Sequence, residues 1–388
     1  MAVVDSHGPS VAFLAVEHGI DDLYQGVVPA LVPLLVLDRG YSLAQAGGIV
    51  LASTLLSSLA QPLFGALADR RDVPWLRTLG VAVAAAGIAL TGVAPSYHWL
   101  LGAALLSGLG VAAYHPEAAR AVYSTGSGDA GMGWFTFGGL AGYAAGPPVT
   151  TAVLGTWGLA ATPVLALPAA VVVLLAVTRR RTRQAADSLA PRPAAPAVTE
   201  VLGEDWPRFG VLTLVIITRS IAYYAVVTFM AVELVGRDDF GLAAAGGALT
   251  AFTAVGALGT LTGGYLTRRF ERVSVIVVAY LAAIPCLAAV LLVPGVPLVL
   301  VAAGLLGLAL NVPLPLHTTL GAHYLPRHPG TAAGITLGVA VSIGGLSTPF
   351  LGMVADVQGP RTVLLAATAL PAVAAVLAIL LRPRRPAA

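Results

Sequence analysis

The chain has no lysine, a single cysteine and few charges of any kind: only 10% of its 388 residues are acidic or basic. With 57% of the residues apolar, so few charges cannot cover a soluble surface. The lone Cys286 excludes a disulfide scaffold and reads as a packed or lipid-facing thiol. The apolar content excludes disorder, and the absence of a Gly-x-y period excludes a collagenous chain despite 44 glycines. A mean hydropathy of +0.87 then leaves an integral membrane protein.

What is present is a series of apolar runs of spanning length, about 20 residues each. Six fall at 11–36, 44–68, 78–95, 98–122, 129–153 and 158–178, and six more at 208–235, 242–267, 274–293, 297–321, 329–355 and 361–381. The expected fold is an all-α membrane protein with 12 transmembrane helices in two pseudo-symmetric six-helix bundles, 1–180 and 208–388. Residues 181–207 between them are rich in Arg, Pro and Ala, with Pro191, Pro193 and Pro196, and read as a cytoplasmic linker. The first run carries Glu17, His18, Asp21 and Asp22 and lacks a basic leader, so it is expected to be retained rather than cleaved as a signal peptide.

Arginine placement gives the orientation. With both termini inside, sixteen arginines, Arg77 among them, fall in cytoplasmic segments and three, Arg39, Arg237 and Arg361, in outer loops. The positive-inside rule therefore places both termini in the cytoplasm of a cell whose plasma (inner) membrane holds the protein. The partners expected are the lipid bilayer, a small solute and protons, with no nucleic acid and a monomeric state.

The halves repeat each other. Gly65-Ala-Leu-Ala-Asp69-Arg70-Arg71 ends the second run and Gly263-Gly-Tyr-Leu-Thr-Arg-Arg269 the eighth, 198 residues on. Gly146-Pro147-Pro148 in the fifth run matches Ser347-Thr348-Pro349 in the eleventh at an offset of 201. Two landmarks in register indicate internal duplication, the architecture of many secondary transporters.

Ionisable residues inside the runs are the main functional pointer, since each costs roughly 2.5–3.5 kcal/mol at a membrane midplane. On the first helix His18, Asp22 and Gln25 recur at i, i+4 and i+7 and share a face, with Glu17 and Asp21 on the adjoining one. Asp22 lies roughly 16 Å into the run, near the midplane. Whether Asp21 or Asp22 faces a cavity is open from sequence. Glu17 is close enough to the inner surface to be solvated. The fourth run carries His115-Pro116-Glu117 and Arg120, where Glu117 and Arg120 can pair one turn apart, either functionally or as a structural ion pair. Histidines at positions 18 and 115 suit a proton relay or plain helix–helix hydrogen bonds.

On the seventh run Arg219 occupies the position that the repeat offset maps onto Asp21–Asp22, with Tyr223 one turn on. A guanidinium there can grip a phosphonate, phosphate or carboxylate with paired hydrogen bonds. Asn311 and His317 on the tenth run are pore-lining candidates or polar glue between helices, and Tyr223 a ligand contact or packing. No metal or cofactor is expected. His115-x-Glu117 has no partner set at metal-ligand spacing, and neither His-Glu-x-x-His nor Gly-x-Ser-x-Gly occurs, so an enzyme is not expected.

The six-plus-six pattern and the loop from Gly65 to Arg71, with its echo at 263–269, resemble the major facilitator superfamily over the whole chain. Three further stretches, His18-Gly-Ile-Asp21-Asp22-Leu-Tyr-Gln25, Ser57-Ser-Leu-Ala-Gln61-Pro62-Leu-Phe-Gly65 and His115-Pro-Glu117-Ala-Ala-Arg120, resemble its fosmidomycin-resistance branch of drug exporters. The resemblance implies proton-driven antiport of a small anionic or zwitterionic compound by alternating access. Asp22, Asp21, Glu117, His18, His115 and Glu17 would then serve proton coupling. Arg219, Arg120, Tyr223, Gln25, Gln61, Asn311 and His317 would bind substrate. Gly65, Asp69, Arg70 and Arg71 would form a cytoplasmic latch, with Asp69 accepting from free N–H groups of a neighbouring helix. Gly142, Gly146 and Pro147, in a stretch similar to an antiporter motif, would shape the fifth helix. A proton symporter for an organic anion uses the same residues, and a solute sensor without transport is the rival of another class.

Overall fold

The computed structural model describes residues 9–41, 43–187, 203–237 and 240–382, and among them every regular element is helical. The linker prolines Pro191, Pro193 and Pro196 and the arginines Arg192, Arg384 and Arg385 lie outside the described residues. All twelve expected runs are helices. The first five are α1 (Val11–Arg39), α2 (Leu43–Arg70), α3 (Trp75–Thr91), α4 (Tyr97–Ser124) and α5 (Gly128–Trp157). The sixth starts as a 3₁₀ segment, Leu159–Ala166, and continues as α6 (Leu167–Asp187). Pro163 and Pro168, which lack the N–H an α-turn needs, fit that tight entry. Helix also extends past Arg179 into the first residues of the expected linker.

In the second half α7 (Trp206–Val235), α8 (Leu242–Leu266) and α9 (Arg272–Leu292) are single helices. The tenth run is split into α10 (Val296–Asn311) and α11 (Leu314–Tyr324), where Pro313 and Pro315 interrupt the hydrogen-bond ladder. The eleventh comprises α12 (Pro329–Ala333), a π-helical turn at Gly334–Val339 and α13 (Ala340–Gln358); the twelfth is α14 (Pro360–Ala367) and α15 (Ala369–Ile379). Local chemistry sets the starts. Asp205 accepts from Arg208 N at 3.0 Å to cap α7, and Glu271 accepts from Ser274 N at 3.0 Å to cap α9.

The chain forms two compact units. One comprises residues 1–126, 138–204 and 326–334, and the other residues 127–137, 205–325 and 335–388. The first turns of α5 therefore pack with the later unit, and α12 with the earlier one.

The internal duplication is visible in two arginines expected in outer loops. Arg39, at the last turn of α1, donates to Gly92 O and, at 2.5 Å, to Ala94 O at the end of α3. Arg237, 198 residues later, donates to Val293 O at 2.7 Å and Val290 O at 3.3 Å at the end of α9. In each unit an arginine thus meets carbonyls left free at a helix C-terminus, the negative end of that helix. Likewise Gly158 and Gly359, 201 residues apart, take φ of 72° and 85° to turn the chain into the sixth and twelfth runs.

Within the first unit α5 lies directly against α1. Gly138, Gly142 and Gly146, four residues apart, face Ala15, Gly19 and Gly26, backbone on backbone. Despite Pro147 and Pro148, helix continues through Trp157; both rings lie on its exposed side. A methyl at Gly142 would collide with the Gly19 carbonyl, where no flexible side chain can give way. Gly142→Val is expected to lower the yield of monodisperse protein and its thermal midpoint in detergent. The cost should be at least the 1–3 kcal/mol typical of overpacking, whereas Gly155→Val, in open space on the same helix, should change neither.

Candidate functional site

Helix periodicity on α1 turns its polar residues toward α3 and α4, and the structure sorts them into distinct groupings. The first is an ion pair. Glu17 is fully buried, not solvated as its sequence position suggested, and its Oε2 lies 2.6 Å from Nε of Arg77. The correction follows from α3, which starts at Trp75, so Arg77 sits in its first turn rather than in a cytoplasmic loop and reaches the membrane-buried face of α1. In the sequence only Trp75 and Leu76 separate Arg77 from the polar stretch before it, too short an apolar stretch to mark the start of a helix.

The second grouping is the polar centre of the unit. His18 Nε2 lies 3.2 Å from Asp22 Oδ2, one turn along α1. From α4, His115 Nε2 lies 3.3 Å from Asp22 Oδ1 and 3.3 Å from His18 Nε2. Gln25 donates to Asp22 Oδ1. The other ring nitrogen of His115, Nδ1, bonds Val111 O at 2.9 Å and faces Asp21 Oδ2 at 3.6 Å. Asp21 is fully buried and its oxygens accept no hydrogen bond among the described residues, whereas the Asp22 side chain keeps 13% of its surface exposed. That difference answers which carboxylate is reachable: it is Asp22. Gly139 of α5 abuts this centre so closely that an added Cβ would lie 2.5 Å from Asp22 Oδ2 and 2.6 Å from His18 Nε2.

Glu117 and Arg120 form the third. Arg120 grips the buried Glu117 through Nε at 2.8 Å and Nη2 at 3.0 Å, and Nη2 also reaches Asp72 at 3.3 Å. Its planar guanidinium is thus held by two carboxylates near the end of α4. Gln61 on α2 is buried; its amide donates to Ser57 Oγ at 3.3 Å and its carbonyl oxygen has no hydrogen-bond partner among the described residues.

In the second unit Arg219 of α7 is buried and donates to neutral oxygens: Nε to Leu310 O at 2.9 Å and Nη2 to Asn311 Oδ1 at 2.7 Å. Its guanidinium also stacks over the Tyr223 ring at 4.6 Å. Asn311 is held in turn by Gly307 O at 2.8 Å. Both oxygens belong to the last turn of α10, so the cation sits at a negative helix end, and no carboxylate lies within ion-pair distance among the described residues. His317 of α11 bonds the Tyr280 hydroxyl at 3.0 Å, a partner that sequence spacing gave no means of finding.

The loop signature has its own geometry. Asp69, at the end of α2, accepts from Gly330 N at 2.6 Å, Thr331 N at 2.8 Å and Thr331 Oγ1 at 2.6 Å. A carboxylate on the free N–H groups of a helix start is a favourable charge-to-dipole contact. Gly65 allows it, because a side chain there would strike the Gly330 carbonyl. Arg70 and Arg71 are exposed. In the later unit Asp129, unnoticed in the sequence, accepts from Arg272 Nε at 2.7 Å and Thr319 Oγ1 at 2.5 Å.

Together, twelve membrane-spanning helical runs, a duplicated half and buried ionisable clusters define a multi-pass membrane protein of the transporter type. The family model of the Major Facilitator Superfamily matches residues 22–349 and 239–388, and the chain belongs to that superfamily. It is 27% identical to the uncharacterized MFS-type transporter YfnC of Bacillus subtilis (strain 168), over 96% of this chain and 92% of that one. It is also 27% identical to the fosmidomycin resistance protein of Escherichia coli (strain K12), over 88% of this chain and 85% of that one. Among solved structures, FucP in the outward conformation superposes with a TM-score of 0.76 at 17% identity, covering 96% of this chain and 99% of FucP. The human organic anion transporter MFSD10 gives a TM-score of 0.71 at 17% identity, over 95% and 98% of the two chains. These structural likenesses concern the fold.

Breaking one member of a buried ion pair leaves an uncompensated charge, whereas removing both can be nearly neutral. Arg77→Ala is therefore expected to destabilise the protein by about 3–5 kcal/mol in reversible unfolding from mixed micelles. The double variant Glu17→Leu/Arg77→Met should recover most of that loss. Equal losses in both would show that the pair is not what Arg77 contributes.

Proposed function

We propose that the protein is a proton-coupled secondary transporter, exporting a small anionic or zwitterionic compound by alternating access of its two halves. The observation that carries this reading is the Asp22–His18–His115 centre, a partly reachable carboxylate between two imidazoles inside the membrane. Such a group persists in a spanning helix where it serves a pathway. A proton arriving at Asp22 can pass to either ring over 3.2–3.3 Å, and Asp21 behind His115 holds a second carboxylate in the same coupled set. Neutralising Asp22 removes a charge from the path, which lowers the cost of reorienting without solute.

Arg219 is the proposed anchor for the solute's anionic group. It is buried, faces neutral partners, and has Tyr223, Asn311 and His317 in its neighbourhood. Gln25 and Gln61 are proposed to add hydrogen bonds to the solute. Glu117 and Arg120, already satisfied by each other and by Asp72, are proposed to steady α4 rather than to carry protons or solute. Gly65 and Asp69, with the exposed Arg70 and Arg71, are proposed as a cytoplasmic latch whose release accompanies inward opening. Gly142, Gly146 and Pro147 are proposed to let α5 slide on α1. Export is favoured over uptake by the named relative, the fosmidomycin resistance protein. The same naming makes a phosphonate the first solute to try.

The test is proton movement in proteoliposomes, followed with an internal pH dye while fosmidomycin and a panel of phosphonates, carboxylates and cations are added. Solute-dependent flux should appear with an antiport sign and vanish in Asp22→Asn. Arg219→Gln should weaken apparent solute affinity about 10- to 100-fold, the worth of one charge-assisted hydrogen bond of roughly 1.5–3 kcal/mol. Binding without flux for every compound would point to a sensor, and intact coupling in Asp22→Asn would remove the proton role assigned to it. For the latch, Asp69→Asn should increase labelling of a cysteine introduced on the cytoplasmic side of α2, in a Cys286→Ser background. Unchanged labelling would refute it.

A further inference from the structure

We propose that His18, Asp22 and His115 form a three-ligand site for a divalent transition-metal ion of the zinc type. The inference goes beyond the transport reading and stands on side-chain geometry alone. The three residues present ligand atoms that all lie within 4.8 Å of one another, and the shortest separations between the side chains use both oxygens of Asp22. His18 Nε2 to His115 Nε2 is 3.3 Å, His18 Nε2 to Asp22 Oδ2 is 3.2 Å and His115 Nε2 to Asp22 Oδ1 is 3.3 Å. For zinc at roughly 2.0–2.1 Å from nitrogen or oxygen, a tetrahedron has edges of about 3.3 Å. The two imidazoles are therefore spaced as one edge of that tetrahedron, and each meets its own oxygen of the Asp22 carboxylate, which can close the face with one oxygen or bind through both.

Ring orientation agrees. A backbone carbonyl only accepts hydrogen bonds, so His115 Nδ1, 2.9 Å from Val111 O, carries a proton. In the neutral ring this leaves the Nε2 lone pair aimed at His18 and Asp22. A histidine whose far nitrogen donates to a carbonyl is the usual second-shell arrangement of metal-bound imidazole. His18 and Asp22 add the i, i+4 spacing that sets two ligands on one helix face. Two imidazoles and one carboxylate favour zinc, cobalt, nickel or copper over magnesium and calcium, which prefer all-oxygen shells. The fourth position is left for water or for a solute oxygen. Reading His115-x-Glu117 along one helix missed this set because its members come from two helices 93 residues apart, counted from Asp22 to His115. An ion held here occupies the lone pairs that a coupling proton would use, so metal and proton exclude each other at the centre.

The test uses purified full-length protein in detergent, stripped with chelator and titrated with cobalt(II) chloride and then zinc chloride. The expected result is one ion per chain, with intense visible d–d bands of a four-coordinate cobalt site that zinc abolishes. His18→Gln and His115→Gln should each weaken binding by at least about 10-fold. Gly139→Ala, which keeps every ligand but puts a methyl 2.5 Å from Asp22 Oδ2, should weaken it too. His98→Gln, at an exposed histidine, should leave it unchanged. Absence of stoichiometric binding by the wild type, only the weak bands of six-coordinate cobalt, or an ion retained in monodisperse His18→Gln and His115→Gln overturns the proposal. Because the readout involves no flux, cobalt bands from a protein that moves no protons would sink the transport reading and leave the metal site standing.

Discussion

A charge in a hydrocarbon phase must be compensated within reach of its own side chain, and α1 carries three acids in six residues, Glu17, Asp21 and Asp22. Their compensation fixes where the neighbouring helices can lie. Glu17 draws the first turn of α3 inward through Arg77, and Asp21 and Asp22 face the one imidazole of His115 on α4 from its two ends. If α4 rotated by one residue, 100°, His115 would leave both carboxylates and strand them in apolar surroundings. The polar set that reads as functional machinery therefore also specifies the packing of the first, third and fourth helices, a role in specificity that buried ionic groups sometimes have.

The second constraint is backbone proximity. In lipid, helix association relies on van der Waals contact and hydrogen bonds rather than on the hydrophobic effect, so close approach has to come from small residues. α5 meets α1 through Gly138, Gly142 and Gly146, and Gly139 between them leaves just enough space for the His18–Asp22 pair. An alanine at 139 would press on the polar centre, while one at 142 would push the helices apart. The stretch resembling an antiporter motif, which begins at Gly142, is thus a contact surface, and Gly139 just before it is the wall of the polar site; close contact accounts for this density of glycine better than flexibility does.

The number of spans, their register and the duplicated loop were legible in the sequence because hydropathy and arginine placement act over whole segments. Helix-face arithmetic also brought His18, Asp22 and Gln25 together correctly. Contacts between helices were not legible. Arg77 looked like a loop residue because only Trp75 and Leu76 separate it from Asp72-Val-Pro, and Glu17 looked solvated because it lies near the inner end of its run. Arg39 and Arg237 looked like outer-loop charges, yet each ties off the end of a neighbouring helix. Asp129 carried only the weak local mark of an acid in the first turn of a helix, so its ion pair with Arg272 lay beyond any spacing rule. In every case the partner is tens of residues or more away along the chain.

The duplication then gives a reason for the asymmetry between the halves. Each half builds its polar centre between its first and fourth spans: His18 and Asp22 with His115 in one, Arg219 with Leu310 and Asn311 in the other. One scaffold position has been filled with opposite chemistry. The first copy holds acids and imidazoles, groups that gain and lose protons; the second holds a guanidinium, which stays charged at any accessible pH and so can hold an anion but cannot carry a proton. The helix end at Arg219 supplies partial negative charge where, among the described residues, no carboxylate lies within ion-pair distance. A full counter-ion there would neutralise the site permanently, and a bare guanidinium would be too costly to bury. A cation held by neutral oxygens at a helix end lies between these limits, which is the arrangement the proposed anion anchor requires.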